Sequence, residues 1–536
     1  MNVKIFLLVI LSLLFFNYCH GQQGEWVWVH GSSTQNATGN YGVQGVPSPS
    51  NNPPAIYEGC EWTDLNGNFW LFGCWSSIGN LADLWKYEPL TNEWTWMKGT
   101  GIANDTGSYG IQGISSPSNN PPSRMRGTAS WTDNQNNLWL FGGDVGYPFS
   151  DLWKYNISTN EWTWMKGPKL TNQPAVYGIQ GIPDSLNNPS ARDECASSWS
   201  DNAGNLWLFG GFNFYGFLND LWRYNIATNQ WTWMRGDSLI NQPGIFGIKG
   251  IENSTNIPHS RCSYTHWKDN ADNFCLFGGS YWYNDYNDLW RFNPNTNNWT
   301  WMSGDSIGNS YGNYGVKCIA SSTNMPSARF ENRAGWTDQY GNFWNFGGCE
   351  AVFSLDSVRN DLWMYSMVLN KWIWISGDNS FNPSGYWGTK NVSSPLNKPN
   401  GRAGSVAWSD NNGHLYLFGG ARLGGGGNYL YNDLWKFTID TVCIGVGIKE
   451  MNNNQELEVY PNPTTGELTI IIHKDNLQKV EFTLTNLLGE KIFTQTENKI
   501  GTTRKKTINI SKLSNGVYIL EVLLDGKKIV RKVEKH

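Results

Sequence analysis

Short runs of apolar and aromatic residues, separated by Asp, Asn and Gly, make up most of this chain. The clearest unit begins at residue 123, where a small, polar run ends at Trp131. The runs 138–143, 151–155 and 161–165 follow, each after a turn-forming or variable segment. Aromatic and β-branched runs of this length between Asx and Gly turns predict four antiparallel strands, which we call A to D from the centre outward.

Two elements of this unit can be counted along the chain. The Phe-Gly-Gly element at the end of strand B occurs six times, with Cys74 replacing one glycine: 72–74, 141–143, 209–211, 277–279, 346–348 and 418–420. The Asp-Leu-Trp element of strand C also occurs six times: 83–85, 151–153, 220–222, 288–290, 361–363 and 433–435. A four-stranded unit that repeats about every 68 residues is typical of a β-propeller.

The Trp-x-Trp element of strand D is distributed differently. It follows Asp-Leu-Trp in five units, at 94–96, 162–164, 231–233, 299–301 and 372–374. The sixth unit stops after Phe437 without it, whereas an unattached copy, Trp26 and Trp28, stands near the front of the chain. The simplest arrangement is a ring in which the N-terminal strand completes the last sheet.

The ordered recurrence of Phe-Gly-Gly, Asp-Leu-Trp and Trp-x-Trp resembles the kelch family of β-propellers. The resemblance covers residues 22–440 and implies a propeller with one binding face. We therefore expect an all-β chain whose main domain is a six-bladed kelch β-propeller closed by an N-terminal strand. Kelch proteins include both enzymes and adaptors, so this fold leaves the function open.

The C-terminal part has a different composition, because it holds no tryptophan and is basic. Residues 455–536 carry 13 Lys and Arg against 10 Asp and Glu, whereas the whole chain has a net charge of −5. Alternating apolar runs predict about seven short strands, hence a small β-sandwich after a linker at 441–454.

Four motifs of this segment resemble the C-terminal sorting domain of the Bacteroidetes type IX secretion system: 458–466, 485–490, 513–518 and 527–532. The resemblance implies that the secretion machinery recognises residues 455–536 and carries the chain across the outer membrane. An ordinary accessory sandwich is the alternative. The expected location is secreted or at the cell surface.

The N-terminal residues are typical of an export signal. Lys4 precedes an apolar run, and small residues stand at the positions that signal peptidase prefers before Gln22, so we interpret 1–21 as a signal peptide. A lipoprotein signal with Cys19 as the lipid carrier is the alternative. No later run supplies the ~20 apolar residues of a membrane span, and the net charge gives no reason to expect nucleic acid as a partner.

Loop variability predicts which face binds a ligand. The B–C loops and the long D–A crossings share one face and vary among repeats, whereas the A–B and C–D turns are short and uniform. We expect this B–C/D–A face to bind a glycan or a protein. Three tryptophans outside the repeated elements lie in these loops and are candidate ligand contacts: Trp75, Trp282 and Trp387. The alternative is that these rings only cap the ends of the blades.

Arginines that precede strand A form a second set of candidates. They recur six or seven residues before the strand A tryptophan: Arg124, Arg192, Arg261, Arg329 and Arg402. A ring of guanidiniums at the channel mouth could bind carboxylate, sulfate or phosphate. The alternative is structural, with each arginine tying its blade to the next through an acid or a carbonyl.

Candidate catalytic groups are few. Some members of the kelch family are copper oxidases, but only His259 and His266 lie near the expected face, so we predict no metal site and no cofactor. Glu58 and Glu331 could serve as acid and base in the channel. The leading hypothesis is therefore a binding module, and a carbohydrate-active enzyme with acidic residues in the channel is the alternative.

Overall fold

The computed structural model describes residues 24–194, 197–350, 357–422, 427–440, 457–462, 464–473, 477–486, 491–500, 504–514, 516–525 and 527–535. The predicted signal peptide, with Cys19, and the predicted linker lie outside these residues. The chain divides into two compact units, Met1–Asp440 and Thr441–His536. The described residues form β-strands and turns without a helix, so none of them provides a helical membrane span.

The first unit contains six antiparallel sheets, which we number in chain order. Sheet 1 holds β2 (Ile56–Tyr57), β3 (Cys60–Thr63), β4 (Phe69–Ser76), β5 (Gly79–Glu88) and β6 (Glu93–Lys98). Sheet 2 holds β7 (Ala129–Thr132), β8 (Asn137–Phe141), β9 (Leu152–Asn156) and β10 (Glu161–Lys166). Sheet 3 holds β11 (Ser197–Ser200), β12 (Leu206–Asn213), β13 (Gly216–Asn225) and β14 (Gln230–Arg235).

The other three sheets follow the same order. Sheet 4 holds β15 (Thr265–Lys268), β16 (Phe274–Phe277), β19 (Leu289–Asn293) and β20 (Asn298–Ser303), with a small hairpin of β17 (Ser280–Tyr281) and β18 (Asn284–Asp285). Sheet 5 holds β21 (Gly335–Thr337), β22 (Phe343–Cys349), β23 (Val358–Ser366) and β24 (Lys371–Ser376). Sheet 6 holds β25 (Val406–Ser409), β26 (Leu415–Phe418), β29 (Leu434–Thr438) and β1 (Glu25–His30), with a hairpin of β27 (Ala421–Arg422) and β28 (Tyr429–Leu430).

The N-terminal strand β1 is the outer strand of sheet 6. It pairs antiparallel with β29, placing Trp28 opposite Trp435 and Trp26 opposite Phe437. This is the register of β10 on β9, where Trp164 lies opposite Trp153. The detached Trp-x-Trp copy therefore occupies the place that strand D takes in the other sheets.

The turn after strand A shows why the repeated polar residues belong to the fold. In sheet 2, Asp133 accepts hydrogen bonds from the backbone N–H of Gln135 and Asn137, which is an Asx turn. Its second oxygen accepts the Trp139 indole N–H at 2.8 Å. The carboxylate thus fixes both the tight A–B turn and the first aromatic ring of strand B.

Tryptophans also join neighbouring sheets. Indole N–H groups from the strand A tryptophans donate to backbone carbonyls of the next sheet, as from Trp62 to Trp139 at 2.9 Å and from Trp131 to Trp207 at 3.0 Å. The innermost strands adjoin one another in a cycle: β3 with β7, β7 with β11, β11 with β15, β15 with β21, β21 with β25, and β25 with β3. They enclose a central cavity of about 620 Å³.

The two indoles of a Trp-x-Trp pair have different surroundings. Trp162 is fully buried against Phe72 of the preceding sheet, as expected for packing between sheets. Trp164 is half-buried beneath Tyr109 of the D–A crossing, with ring centroids 5.3 Å apart. Strand D has a bulge just after this indole, between Trp164 and Lys166. The second indole therefore supports the crossing from the edge of the cluster between sheets 1 and 2.

The second unit consists of two sheets with one shared core. The smaller sheet holds β30 (Leu457–Tyr460), β31 (Glu467–Ile472) and β34 (Arg504–Asn509). The larger sheet holds β32 (Leu477–Asn486), β33 (Lys491–Ile500), β35 (Gly516–Leu524) and β36 (Lys527–Lys535). Ile470 from one sheet and Phe482 and Val522 from the other belong to a single buried cluster, as in a sandwich.

Candidate functional site

The D–A crossings and the B–C loops are hydrogen-bonded to each other on one face. In each repeat an asparagine of the crossing adopts a positive φ and donates its backbone N–H to the preceding B–C loop: Asn36, Asn104, Asn172, Asn241, Asn309 and Asn382. Asparagine tolerates this left-handed conformation better than most residues. The variable loops of this B–C/D–A face therefore stand on a repeated framework.

The five candidate arginines lie in this framework and not in a ligand site. Each guanidinium is buried and forms a bidentate ion pair with the aspartate of Asp-Leu-Trp in its own sheet: Arg124–Asp151, Arg192–Asp220, Arg261–Asp288, Arg329–Asp361 and Arg402–Asp433. This geometry does not favour a ring of guanidiniums that binds anions at the channel mouth, because most of the donors are already bonded within the sheets. The structural alternative holds, although each ion pair lies within a sheet and does not bridge two sheets.

The ion pair in sheet 2 illustrates how fully the aspartate is satisfied. Asp151 accepts two hydrogen bonds from Arg124 at 2.9 and 3.0 Å. It also accepts the Trp153 indole N–H at 2.7 Å and the Tyr109 hydroxyl at 2.6 Å. The crossing, strand A and strand C are therefore joined at one buried carboxylate.

Sheet 1 departs from this arrangement because it lacks the arginine. Ile56 takes the equivalent place, with its backbone N–H donating to Tyr431 of sheet 6 as Arg124 donates to Leu81 of sheet 1. Asp83 keeps hydrogen bonds from the Tyr41 hydroxyl and the Gly101 backbone N–H. Burial raises the pKa of Asp83, because no guanidinium offsets the loss of water.

A ring of backbone hydrogen bonds surrounds the channel mouth on the B–C/D–A face. Equivalent residues of the six repeats adopt a positive φ just before strand A: Glu58, Arg126, Glu194, Ser263, Glu331 and Gly404. Their backbone N–H groups donate to the equivalent carbonyl of the preceding repeat at five of the six junctions: Arg126–Glu194, Glu194–Ser263, Ser263–Glu331, Glu331–Gly404 and Gly404–Glu58. Three glutamates of this ring, from alternate repeats, lie close together at the channel mouth.

Three glutamates meet at this point. Glu58, Glu194 and Glu331 each bring a carboxylate oxygen within 4.8 Å of the other two. Burial and repulsion from neighbouring carboxylates raise the pKa of Glu58 to about 7 and of Glu194 to about 8. The same two causes raise the pKa of Glu331 well above its ordinary value. We call these residues the glutamate triad.

The glutamate triad bears on the enzyme alternative. Glu58 and Glu331 are each only 3% exposed. A glycoside hydrolase places its two carboxyl groups about 5 Å or more apart, on opposite sides of the sugar. Carboxyl groups buried to this extent present almost no surface to a sugar, so their burial does not favour that alternative.

Exposed aromatic rings lie on the loops of sheets 2, 3 and 4. Phe214 contacts Tyr147 and Tyr215, with ring centroids 5.3 and 5.4 Å apart. Behind them, Phe217 lies 5.2 Å from Trp282. The exposed members of this surface, which we call the aromatic shelf, are Tyr147, Phe214, Tyr215, Trp282 and Tyr283.

The backbone of Trp282 is unusual for such a large side chain. Its φ of 54° lies in the left-handed region, which costs energy for a bulky residue. The Ser280 hydroxyl donates to the Trp282 carbonyl at 2.9 Å and holds this turn. As a result the indole stands 55% exposed beside Tyr283, which is 81% exposed.

Two clefts open beside variable loops at equivalent places in the third and sixth repeats. The third-repeat cleft, about 370 Å³, lies between the crossing residues Asn172 and Tyr177 and the loop residues Asn213 and Tyr215. Tyr215 thus belongs both to this cleft and to the aromatic shelf. Cavities of about this size accommodate small ligands.

The sixth-repeat cleft, about 410 Å³, contains one of the candidate tryptophans. Trp387 lies in its wall with Tyr429 and Arg422. The Trp387 indole N–H donates to Asp433 at 3.1 Å, so this ring takes the place of the Tyr109 hydroxyl in sheet 2. Trp387 is therefore both a framework residue and a cleft residue.

Trp75 lies apart from the aromatic shelf and from both clefts. It is half-buried, pairs with Tyr57 across β2 and β4, and meets that ring edge-on at 6.0 Å. It packs against a buried cluster that includes Ala403 and Leu430 of sheet 6. The structure therefore separates the three candidate tryptophans and leaves Trp282 as the exposed one.

Comparisons with known proteins agree with this geometry. Residues 104–311 match the family model described as the KLHDC2/KLHL20/DRC7 Kelch-repeats domain, and residues 458–535 match the secretion system C-terminal sorting domain. The chain contains a kelch-repeat domain and a type IX secretion sorting domain. Proteins with this sorting domain are exported by type IX secretion, so this protein is secreted or held at the cell surface.

Two relatives illustrate how far the similarity of the kelch-repeat protein reaches. It is 25% identical to human Kelch domain-containing protein 10 over 184 residues, which is 33% of this chain and 34% of the relative. It is 28% identical to human Multiple epidermal growth factor-like domains protein 8 over 114 residues, which is 20% of this chain and 4% of the relative. The chain thus spans about a third of the first relative's length and far less of the second.

Some site residues of the kelch-repeat protein were missed at the sequence level. Glu194 was not joined to Glu58 and Glu331, although each of Glu194 and Glu331 follows a repeated arginine by two residues. Tyr147 was also missed. Its B–C loop carries only one other aromatic residue, Phe149, so the residues of this loop do not form an aromatic cluster in the sequence.

Proposed function

We propose that residues 22–440 form a six-bladed kelch propeller that β1 closes, and that residues 455–536 form the sorting sandwich. Each of sheets 1 to 6 is then one blade. The cycle of contacts among the innermost strands and the pairing of β1 with β29 support this arrangement. The division of the chain after Asp440 supports the boundary between the two domains.

The propeller serves as a binding module outside the cell, with the B–C/D–A face as its ligand-binding surface. The aromatic shelf is the observation that carries this proposal. Exposed aromatic side chains rarely gather on a protein surface without a partner, because burying them from water is favourable. Five exposed rings on loops from three successive sheets form such a surface.

A glycan fits the aromatic shelf better than a protein does. The shelf adjoins a cleft that presents the side chains of Asn172, Gln173 and Asn213 beside Tyr215. Flat rings offer the apolar faces on which sugar rings lie, and amides bond to hydroxyls as donors and acceptors. A neutral glycan therefore finds both kinds of contact in one place. A protein ligand is the second candidate, since exposed Tyr and Trp also suit protein interfaces.

Glycan-array binding by the mature protein tests this proposal. We expect Trp282→Ala and Tyr215→Ala each to weaken binding roughly tenfold, because each removes one stacking ring. Tyr340→Ala is the matched control, since Tyr340 is also an exposed aromatic residue but lies in an A–B turn. If both shelf variants bind glycan as well as the wild type, or if only Tyr340→Ala loses binding, the B–C/D–A face is not the ligand-binding surface.

If no glycan on the array binds, the same variants should be tested against protein ligands. In that case a purified surface protein that binds the wild type and Tyr340→Ala, but not Trp282→Ala, would support the protein ligand over the glycan. The contact with the secretion machinery belongs to residues 455–536 and is independent of this face.

A further inference from the structure

The glutamate triad has the donor geometry of a cation site. Its three residues come from repeats one, three and five, and each is held at a φ between 52° and 57°. Each contributes one carboxylate oxygen to a group whose members all lie within 4.8 Å of one another. Oxygens that bind Ca²⁺ at about 2.4 Å from opposite sides are separated by twice that distance, so one ion can reach all three.

Two carboxylate oxygens of the glutamate triad have no hydrogen-bond partner among the described residues. They are Glu58 Oε2 and Glu331 Oε2, and both are buried. The third glutamate is better satisfied, because the Ser263 hydroxyl donates to Glu194 Oε2 at 2.7 Å. A buried carboxylate oxygen without a partner is costly, and a cation would satisfy both oxygens at once.

The charges around the channel mouth also call for a cation. Arg126 and Arg333 are guanidiniums that interact with the glutamate triad. Arg126 is 48% exposed and lies 3.8 Å from Glu194, which is a loose contact. Arg126 is also shared with Asp144, and Arg333 with Glu61, so these two side chains do not offset the triad by themselves, whereas a divalent ion among its oxygens would.

We propose that the glutamate triad binds one Ca²⁺ ion at the mouth of the central channel. The donors are all carboxylate oxygens, which hard cations prefer over the nitrogen and sulfur donors that zinc and copper favour. Mg²⁺ requires strict octahedral geometry and usually keeps several waters, so a site of three protein carboxylates suits the more flexible coordination of Ca²⁺ better. The ion joins three alternate blades and thereby braces the loop face.

Calcium titration of the chelator-treated mature protein tests the proposal. Isothermal titration with CaCl₂ alone should give one ion per chain, and the melting temperature should rise with Ca²⁺ concentration. We expect Glu58→Gln and Glu331→Gln each to weaken Ca²⁺ binding by roughly tenfold or more, because each removes a ligand charge. MgCl₂ under the same conditions should bind more weakly.

The control is Glu61→Gln, which removes a carboxyl three residues after Glu58 that is not a member of the triad. It should retain one Ca²⁺ per chain and most of the calcium-dependent rise in melting temperature. Circular dichroism of the calcium-free variants separates lost binding from lost fold. Their spectra should match the wild type, because removing a buried negative charge should leave the fold intact. Absence of Ca²⁺ binding in the wild type, or binding unchanged in both triad variants, would overturn the proposal.

Discussion

At the residue scale, the repeated polar residues explain the fold better than they explain binding. The aspartate of Asp-Leu-Trp collects an arginine, a tryptophan and an aromatic residue of the crossing around one buried charge. Asp220, for example, accepts from Arg192, Trp222 and Tyr177. Breaking a buried ion pair from one side leaves the other charge without water, which is strongly destabilising.

Sheet 1 provides an internal comparison for this argument. We expect Asp220→Asn to lower the free energy of unfolding by about 3 kcal/mol, because the Arg192 guanidinium stays buried without its counter-charge. Asp83→Asn should cost less than about 1 kcal/mol, since no guanidinium faces Asp83 and an amide retains part of its hydrogen bonding. Urea unfolding of the two variants measures the difference; equal losses would contradict this role for the ion pair.

At the element scale, β1 is the strand that pairs with the partner most distant from it in sequence. It precedes every other strand, yet it is paired with the last strand of the first unit. Trp26 is buried against Phe346 of sheet 5 and Phe437 of sheet 6, with centroids 5.6 and 5.0 Å away. The strand therefore contributes one indole to the core between two sheets.

A chain that begins at residue 32 tests this role. It should melt well below the full mature chain, because burying one such tryptophan contributes roughly 3–5 kcal/mol and the edge of β29 is left unpaired. A synthetic peptide of residues 22–31 added in trans should restore the melting temperature. The same peptide with Trp26→Ala and Trp28→Ala is the control and should not, whereas a shortened chain as stable as the original would refute the closure.

The strands and turns of each repeat could be predicted from the sequence. Contacts between side chains of different repeats could not. Asp133 and Trp139 lie six residues apart, so their turn and strand follow from local patterning. Glu58 and Glu194 are far apart in sequence, and they meet only because the innermost strands adjoin in a cycle. Arg124 was predicted at the right end of strand A, but its partner Asp151 comes from a different strand and removes it from the ligand-binding surface.

At the scale of the whole molecule, one face carries all the features that do not repeat. The aromatic shelf, the two clefts and the glutamate triad lie among the B–C loops, the crossings and the starts of strand A. The opposite face consists of Asx turns such as that of Asp133, which are much alike in every repeat. We therefore expect a ligand to bind on the B–C/D–A face.

The decisive measurement is hydrogen–deuterium exchange of the mature protein, with and without the glycan that binds most strongly on the array. We expect slower exchange on binding in the loop segments 211–218 and 280–286 and in the crossing segment 172–177. Exchange in the A–B turns 64–68 and 133–137 should stay unchanged. Protection confined to those turns, with no change in the three loop-face segments, would show that the ligand binds elsewhere than on the B–C/D–A face.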